Sequence, residues 1–238
     1  MSNVINLGGS DISLPDYPSN PFQSFLIETQ NLMNVYSINL KGAAYYHNRI
    51  SNGDLEISKD EFNRAQVTVD QNNISRSIDN VVCYVEQILI SLFYCSDDFV
   101  TKISNGKYNP NNSTDLASLS VKFLHWCKPQ QWKRFDQLYL SAFGESFFET
   151  KYDKEELIRL SALRHIITHN RGFADERFIA CHPDKNFTLN QFVIPMNTMQ
   201  MLAFLLHAAS AIDIRLHHKF NVGTIRRQFM PTANTIGF

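Results

Sequence analysis

Glycine and proline are scarce in this chain, with 9 and 8 residues among 238. No proline interrupts residues 22–109 and no run of β-branched alternation persists, which argues against a turn-rich sheet protein and for long helices. The four cysteines, Cys83, Cys95, Cys127 and Cys181, include no C-x-x-C pair, so neither a zinc knuckle nor a disulfide framework is indicated. A reduced compartment is the expectation. The opening MSNVINLGGSDISLP lacks the basic start and apolar centre of a signal peptide. The most apolar stretch, Met201 to Ile212, runs 12 residues around His207, which is short for a membrane span. These absences predict a soluble cytoplasmic protein with no membrane partner.

Net charge is also nearly absent, at −1, but its distribution is lopsided. Residues 1–100 total −7 and residues 101–238 total +6; after Asp213 there is no acid, while Arg215, Lys219, Arg226 and Arg227 follow. A polyanion is therefore expected to meet the second half.

What the chain does have is apolar mass. Hydrophobic residues make up 44% of it, including 18 Phe, and a chain of this length buries about 70% of its extended surface. Gly8-Gly9, Pro15 and Pro18 predict an irregular arm over 1–20. Asn20 and Pro21 then open a helix to about Ile50, with Asn20 as cap. Ser58 and Glu61 form a capping box for a short helix to about Val69, and Asn73 opens a strong helix through Phe93. Shorter helices are expected from Asp115 to Cys127 and from Pro129 to Phe143. Another runs from Asp153 to Asn170, with Gly172 as its stop, and the last from Asn197 to Phe220. The least helical region, 176–194, reads as short strands at Phe178–Ala180 and Phe187–Ile194 or as an extended excursion. The expected class is all-α, a helical domain over 21–220 with a short irregular or β-like insertion near 176–194 and a basic tail over 221–238.

The segment that carries chemistry is Leu163-Arg164-His165-Ile166-Ile167-Thr168-His169-Asn170-Arg171-Gly172. On a helical wheel Leu160, Leu163, Ile166 and Ile167 share an arc of about 120°, as a core face does. Ser161, Arg164, Thr168, His165 and His169 occupy another arc of about 140°. An arginine, two histidines and two hydroxyls on one face can bind and turn over a phosphate. The i, i+4 spacing of His165 and His169 also matches a zinc pair, but Ile166 stands where the catalytic Glu of H-E-x-x-H belongs and no third ligand is marked. The plain alternative is a pair of capping histidines near a helix C-terminus, where the dipole favours positive charge.

Arg164-x(4)-His169, with a polar residue after the arginine and Asn170 after the histidine, resembles the signature of the HEPN superfamily. That family consists of helical bundles, many of them endoribonucleases in toxin–antitoxin and phage-defence systems. The specific match spans about ten residues; the arm, the 176–194 insertion and the basic tail have no assigned counterpart. The resemblance implies a HEPN-like bundle that cleaves RNA without a metal or other cofactor. Arg164 would clamp the phosphate, His169 would act as general acid–base, and His165 and Asn170 would contact substrate or orient the histidine. The ribose 2′-OH is the nucleophile, so the products are a 2′,3′-cyclic phosphate and a 5′-OH. The resemblance further implies a homodimer with the 153–171 helices near the axis, and an antitoxin or defence-system partner. Thr168, Arg171, Arg226 and Arg227 complete the expected RNA contacts. The rival expectation is a HEPN-like module that binds or assembles without cutting. A DNA-binding regulator is disfavoured by the lack of a helix-turn-helix pattern.

Other clusters have plainer readings. His217-His218 and Lys219 suit a solvated helix end. Trp126 and Trp132, near Lys128, Lys133 and Arg134, either stack on a base or pack into the core. Cys181-His182 is adjacent in sequence, which does not make a nucleophile–base pair.

Overall fold

A computed structural model describes residues 3–7, 9–15, 18–53, 57–109, 112–193 and 198–220, and the fold is mostly helical, at 75%. Helices α1 (Asn20–Ser51) and α2 (Lys59–Cys95) form a long antiparallel pair. The shorter α3 (Asp97–Ile103), α4 (Ser113–Trp126) and α5 (Trp132–Phe143) follow, with one 3-10 turn, Pro129–Gln131, between the last two. The chain then builds α6 (Lys151–Asn170), α7 (Glu176–Cys181) and α8 (Thr198–Phe220). The middle of the core is α2, which touches α1, α6 and α8.

Local chemistry explains most boundaries. Ser19, rather than Asn20, caps α1, its side chain accepting from Phe22 N–H with Pro21 in the first turn. The Ser58–Glu61 capping box is present, but it opens one continuous helix rather than a short helix ahead of a second. The stretch Asp70-Gln71-Asn72-Asn73 is a weak helix former. It stays helical because Gln66 bonds Asp70 at 3.1 Å and because Asn73 is buried as the core begins. The α6 start carries a second box, Thr150 with Asp153.

Two expectations are corrected. The N-terminal arm is a β-hairpin, β1 (Asn3–Leu7) against β2 (Ser10–Leu14), with Ile5 opposite Ile12 and Leu7 opposite Ser10. Gly9 takes a φ of +86° at the turn, a conformation glycine adopts without penalty. Five-residue strands are too short to show sustained alternation, yet Leu7 and Ile12 are buried against α8. In the 176–194 region, residues 176–181 are helical, begun by Asp175, whose carboxylate accepts from Phe178 N–H at 2.7 Å. The Phe178–Ala180 strand is therefore absent. The rest, to Val193, is a loop pinned by a Phe173–Phe192 bridge and by Val193 N–H donating to Gly172 at 2.9 Å.

Both α2 and α8 contain an 18-residue window long and apolar enough to cross a membrane by length and composition. Those windows are 50% and 61% buried inside the fold, where they form the core. The tail over 221–238, with Arg226 and Arg227, lies outside the described residues, as do Ile194 and Met196.

One buried carboxylate ties the ends of the chain together. Asp213 on α8 is fully buried and accepts from Ser19 N–H at 3.0 Å, from the Ser19 hydroxyl, and from Tyr84 at 3.3 Å. Burial raises its pKa despite those donors. Asp213→Ala leaves three buried donors without an acceptor and is expected to cost about 3 kcal/mol. Urea unfolding measures it; a change below about 0.5 kcal/mol would remove Asp213 as the tie.

Candidate functional site

Helix α6 divides as its wheel predicts. Leu160, Leu163, Ile166 and Ile167 are buried, while Arg164, His165, Thr168 and His169 remain open to different extents. The polar face lies along α2, which runs antiparallel to it: Arg164 meets Asp79, Thr168 meets Ser75, and Gly172 meets Gln71. The chain leaves α6 through Arg171 at φ +54° and Gly172 at φ +84°. A β-carbon on Gly172 would come within 2.4 Å of Gln71 Nε2, the far end of a side chain that can swing aside, so glycine is needed there for the sign of its φ.

Arg164 Nε lies 2.7 Å from Asp79 Oδ1, and Nη2 donates to Oδ2 at 3.3 Å. The shorter contact is Coulombic, because its N–H is not directed along the line to the oxygen. Both partners are partly exposed, so the pair positions the guanidinium more than it stabilises the fold. The His165 and His169 rings lie 4.8 Å apart at 48°. His165 Nε2 is 3.7 Å from Asp175 Oδ2, the same oxygen that accepts from Asn170 Nδ2 at 2.9 Å. Burial lowers the His165 pKa first, and the Arg177, His169 and Arg164 charges lower it further against the pull of Asp175.

These groups border a pocket of about 230 Å³. Arg164, Arg177 and Lys128 bring positive charge to it and His165 brings an imidazole; Asp79 and Glu86 bring negative charge. Lys128 is spoken for by Glu86 at 3.0 Å and Arg164 by Asp79, whereas no carboxylate among the described residues pairs with Arg177. The pocket thus keeps one uncompensated arginine beside a partly compensated one and an imidazole biased toward its neutral form. That set suits a phosphate-sized anion and proton transfer next to it.

The expected residues are not all brought together. Arg164 and His165 line the pocket, and His169 stands behind His165 rather than in the lining. Thr168 is spent on Ser75 at 3.3 Å and Asn170 on Asp175, while Arg171 caps the helix through its backbone N–H and leaves its side chain exposed. Arg226 and Arg227 lie outside the described residues. Among the described residues no three His, Cys, Asp or Glu side chains gather as metal ligands would.

Sequence reasoning missed Asp79, Glu86, Asp175 and Arg177. A signal existed for the first two: between Asn73 and Cys95 they are the only carboxylates, and both line the pocket. Arg177 carries no such signal, since only the folding of α7 against α6 places it.

The other clusters resolve toward packing. Trp132 is fully buried, with Nε1 donating to Cys127 O at 2.8 Å. His182 stacks on Phe178 at 4.1 Å and contacts its carbonyl through Nδ1. Arg215 and Lys219 both pair with Glu145, which offsets one of their two positive charges at the end of α8. No family model, curated protein or solved structure matches this chain.

Proposed function

We propose that the chain is a metal-independent endoribonuclease of HEPN type that cleaves RNA through the ribose 2′-OH. The observation carrying this reading is the convergence of Arg164, Arg177 and a neutral-biased His165 on one small pocket, with His169 tilted against His165 behind it. In this scheme the 2′-oxygen attacks the adjacent phosphorus as His165 takes its proton. The bond to the 5′-oxygen breaks as His169 supplies a proton to it. Arg164 and Arg177 neutralise the charge that grows on the non-bridging oxygens. A toxin or defence role, a homodimer with the α6 helices near the axis, an antitoxin-like partner and a cytoplasmic setting complete the reading. Arg226 and Arg227 extend the RNA contact from the tail.

The pairing of Arg164 with Asp79 favours one alternative, a HEPN-like bundle that binds or assembles without cutting, because the guanidinium is then a structural group. End mapping separates the two. RNA incubated with the purified chain in EDTA is expected to yield 2′,3′-cyclic phosphate and 5′-OH ends, with DNA left whole; uncut RNA supports the alternative.

The pH profile tests the proton acceptor. A depressed His165 pKa keeps the base form available as pH falls, so the acid limb of the rate lies below the ordinary imidazole value. Arg177→Gln removes a positive neighbour, raises that pKa and moves the limb upward. An acid limb indifferent to Arg177→Gln removes His165 from the base role.

A further inference from the structure

A second cavity lies near the α4–α5 turn, apart from the Arg164 pocket. It is an open cleft of about 810 Å³ formed by the end of α3, its following loop, α4 and α5. Lys102, Lys107, Lys122 and Arg134 line it, and none of the described lining residues is acidic. Lys102 pairs with Asp98 at 2.9 Å; among the described residues no carboxylate pairs with the other three. In a protein of net charge −1 such a concentration of one sign has a local purpose.

Two rings share the cleft with these cations. Trp126 is half-buried, held edge-to-face on Phe123 at 6.2 Å and 72°. Tyr108 receives a hydrogen bond from Lys122 Nζ at 2.7 Å, with that ammonium 5.4 Å from the ring centre. Fixed aromatic rings among cations that mostly have no carboxylate partner are the chemistry that holds single-stranded nucleic acid, the rings taking bases and the cations taking phosphates. An anion-binding site without need of bases would have no use for the rings.

Along the chain the cleft also lies close to the candidate active site. Lys128 lines the Arg164 pocket and Trp126 lines the cleft, two residues apart in the chain, so their Cα atoms lie within about 8 Å. One strand passing over the α4–α5 turn reaches both. We infer that this cleft is a single-strand nucleic-acid exosite, close to the Arg164 pocket and indifferent to the sugar. It extends the ribonuclease reading, but stacking and phosphate contact do not read the 2′-OH, so single-stranded DNA is held there too without being cut.

That indifference separates binding from cleavage. The probe is a deoxythymidine oligonucleotide of about a dozen nucleotides, added to the full chain at low salt. Binding is expected to quench Trp126, while Trp132, sealed in the core, serves as the steady reference. Trp126→Leu is expected to weaken binding roughly tenfold. Lys107→Gln and Arg134→Gln, both at exposed positions, are each expected to lower the log–log salt slope by about 0.7. Circular dichroism checks that each variant is folded. No binding to the oligonucleotide, binding untouched by all three substitutions, or a poly-glutamate peptide that binds as tightly would overturn the inference. Intact binding with uncut RNA would overturn the nuclease reading and leave the exosite standing.

Discussion

RNA cleavage by His169→Ala is expected to fall by at least about 100-fold, the scale on which a general acid–base contributes. The variant keeps the fold, because His169 is exposed and its neighbours Ile166 and Ile167 carry the packing. The wild-type rate is expected to persist in EDTA, since the proposed nucleophile is the substrate's own hydroxyl. The expected loss falls on kcat, because a proton delivered to the leaving oxygen acts only in the transition state. Initial rates on a fluorescent single-stranded RNA measure all of this. A wild-type rate abolished by chelator, or a variant that cuts at the wild-type rate, sinks the proposed chemistry.

Arg164→Ala is expected to reduce kcat/KM by about 100- to 1,000-fold, the usual effect of losing a group that meets developing phosphoryl charge. A second consequence follows from Asp79, which loses its counter-charge and faces the pocket as a bare carboxylate. Arg164→Ala combined with Asp79→Asn relieves that repulsion and recovers substrate binding without recovering kcat. If Arg164 serves only to hold α2 against α6, the single variant melts earlier and cuts normally once folded. On α6 the two side chains diverge: Arg164 turns to α2 while His169 stays beyond His165. A composite site in a two-fold dimer would therefore let a mixture of Arg164→Ala and His169→Ala chains regain part of the lost rate. A strictly additive mixture places both residues of one site in one chain.

Local signals made much of the fold legible. Ser58-x-x-Glu61 marked the start of α2, Gly144 the end of α5 and Gly172 the end of α6, each through the hydrogen-bonding or backbone needs of a helix terminus. The buried face of α6 was readable because four apolar residues repeat at helical spacing. Where local preference was weak the reading failed: Asp70 to Asn73 looked like a break, and Phe178–Ala180 like a short strand or an extended excursion. In both places contacts from other elements decide, Asn73 by entering the core and α7 by closing on α6.

The candidate site divides in the same way. Sequence alone determined which chemistry was on offer, an arginine, two histidines and two hydroxyls on one side of one helix, because a 3.6-residue period assigns faces without reference to any partner. It could not assign partners. Packing of α2 against α6 gave Arg164 to Asp79 and Thr168 to Ser75, 85 and 93 residues upstream, and the chain at the start of α7 brought Asp175 and Arg177 to His165 from about a dozen residues downstream. Those pairings set how much positive charge is left and push the His165 pKa down, since charge and burial act over a few ångströms in space and not along the chain.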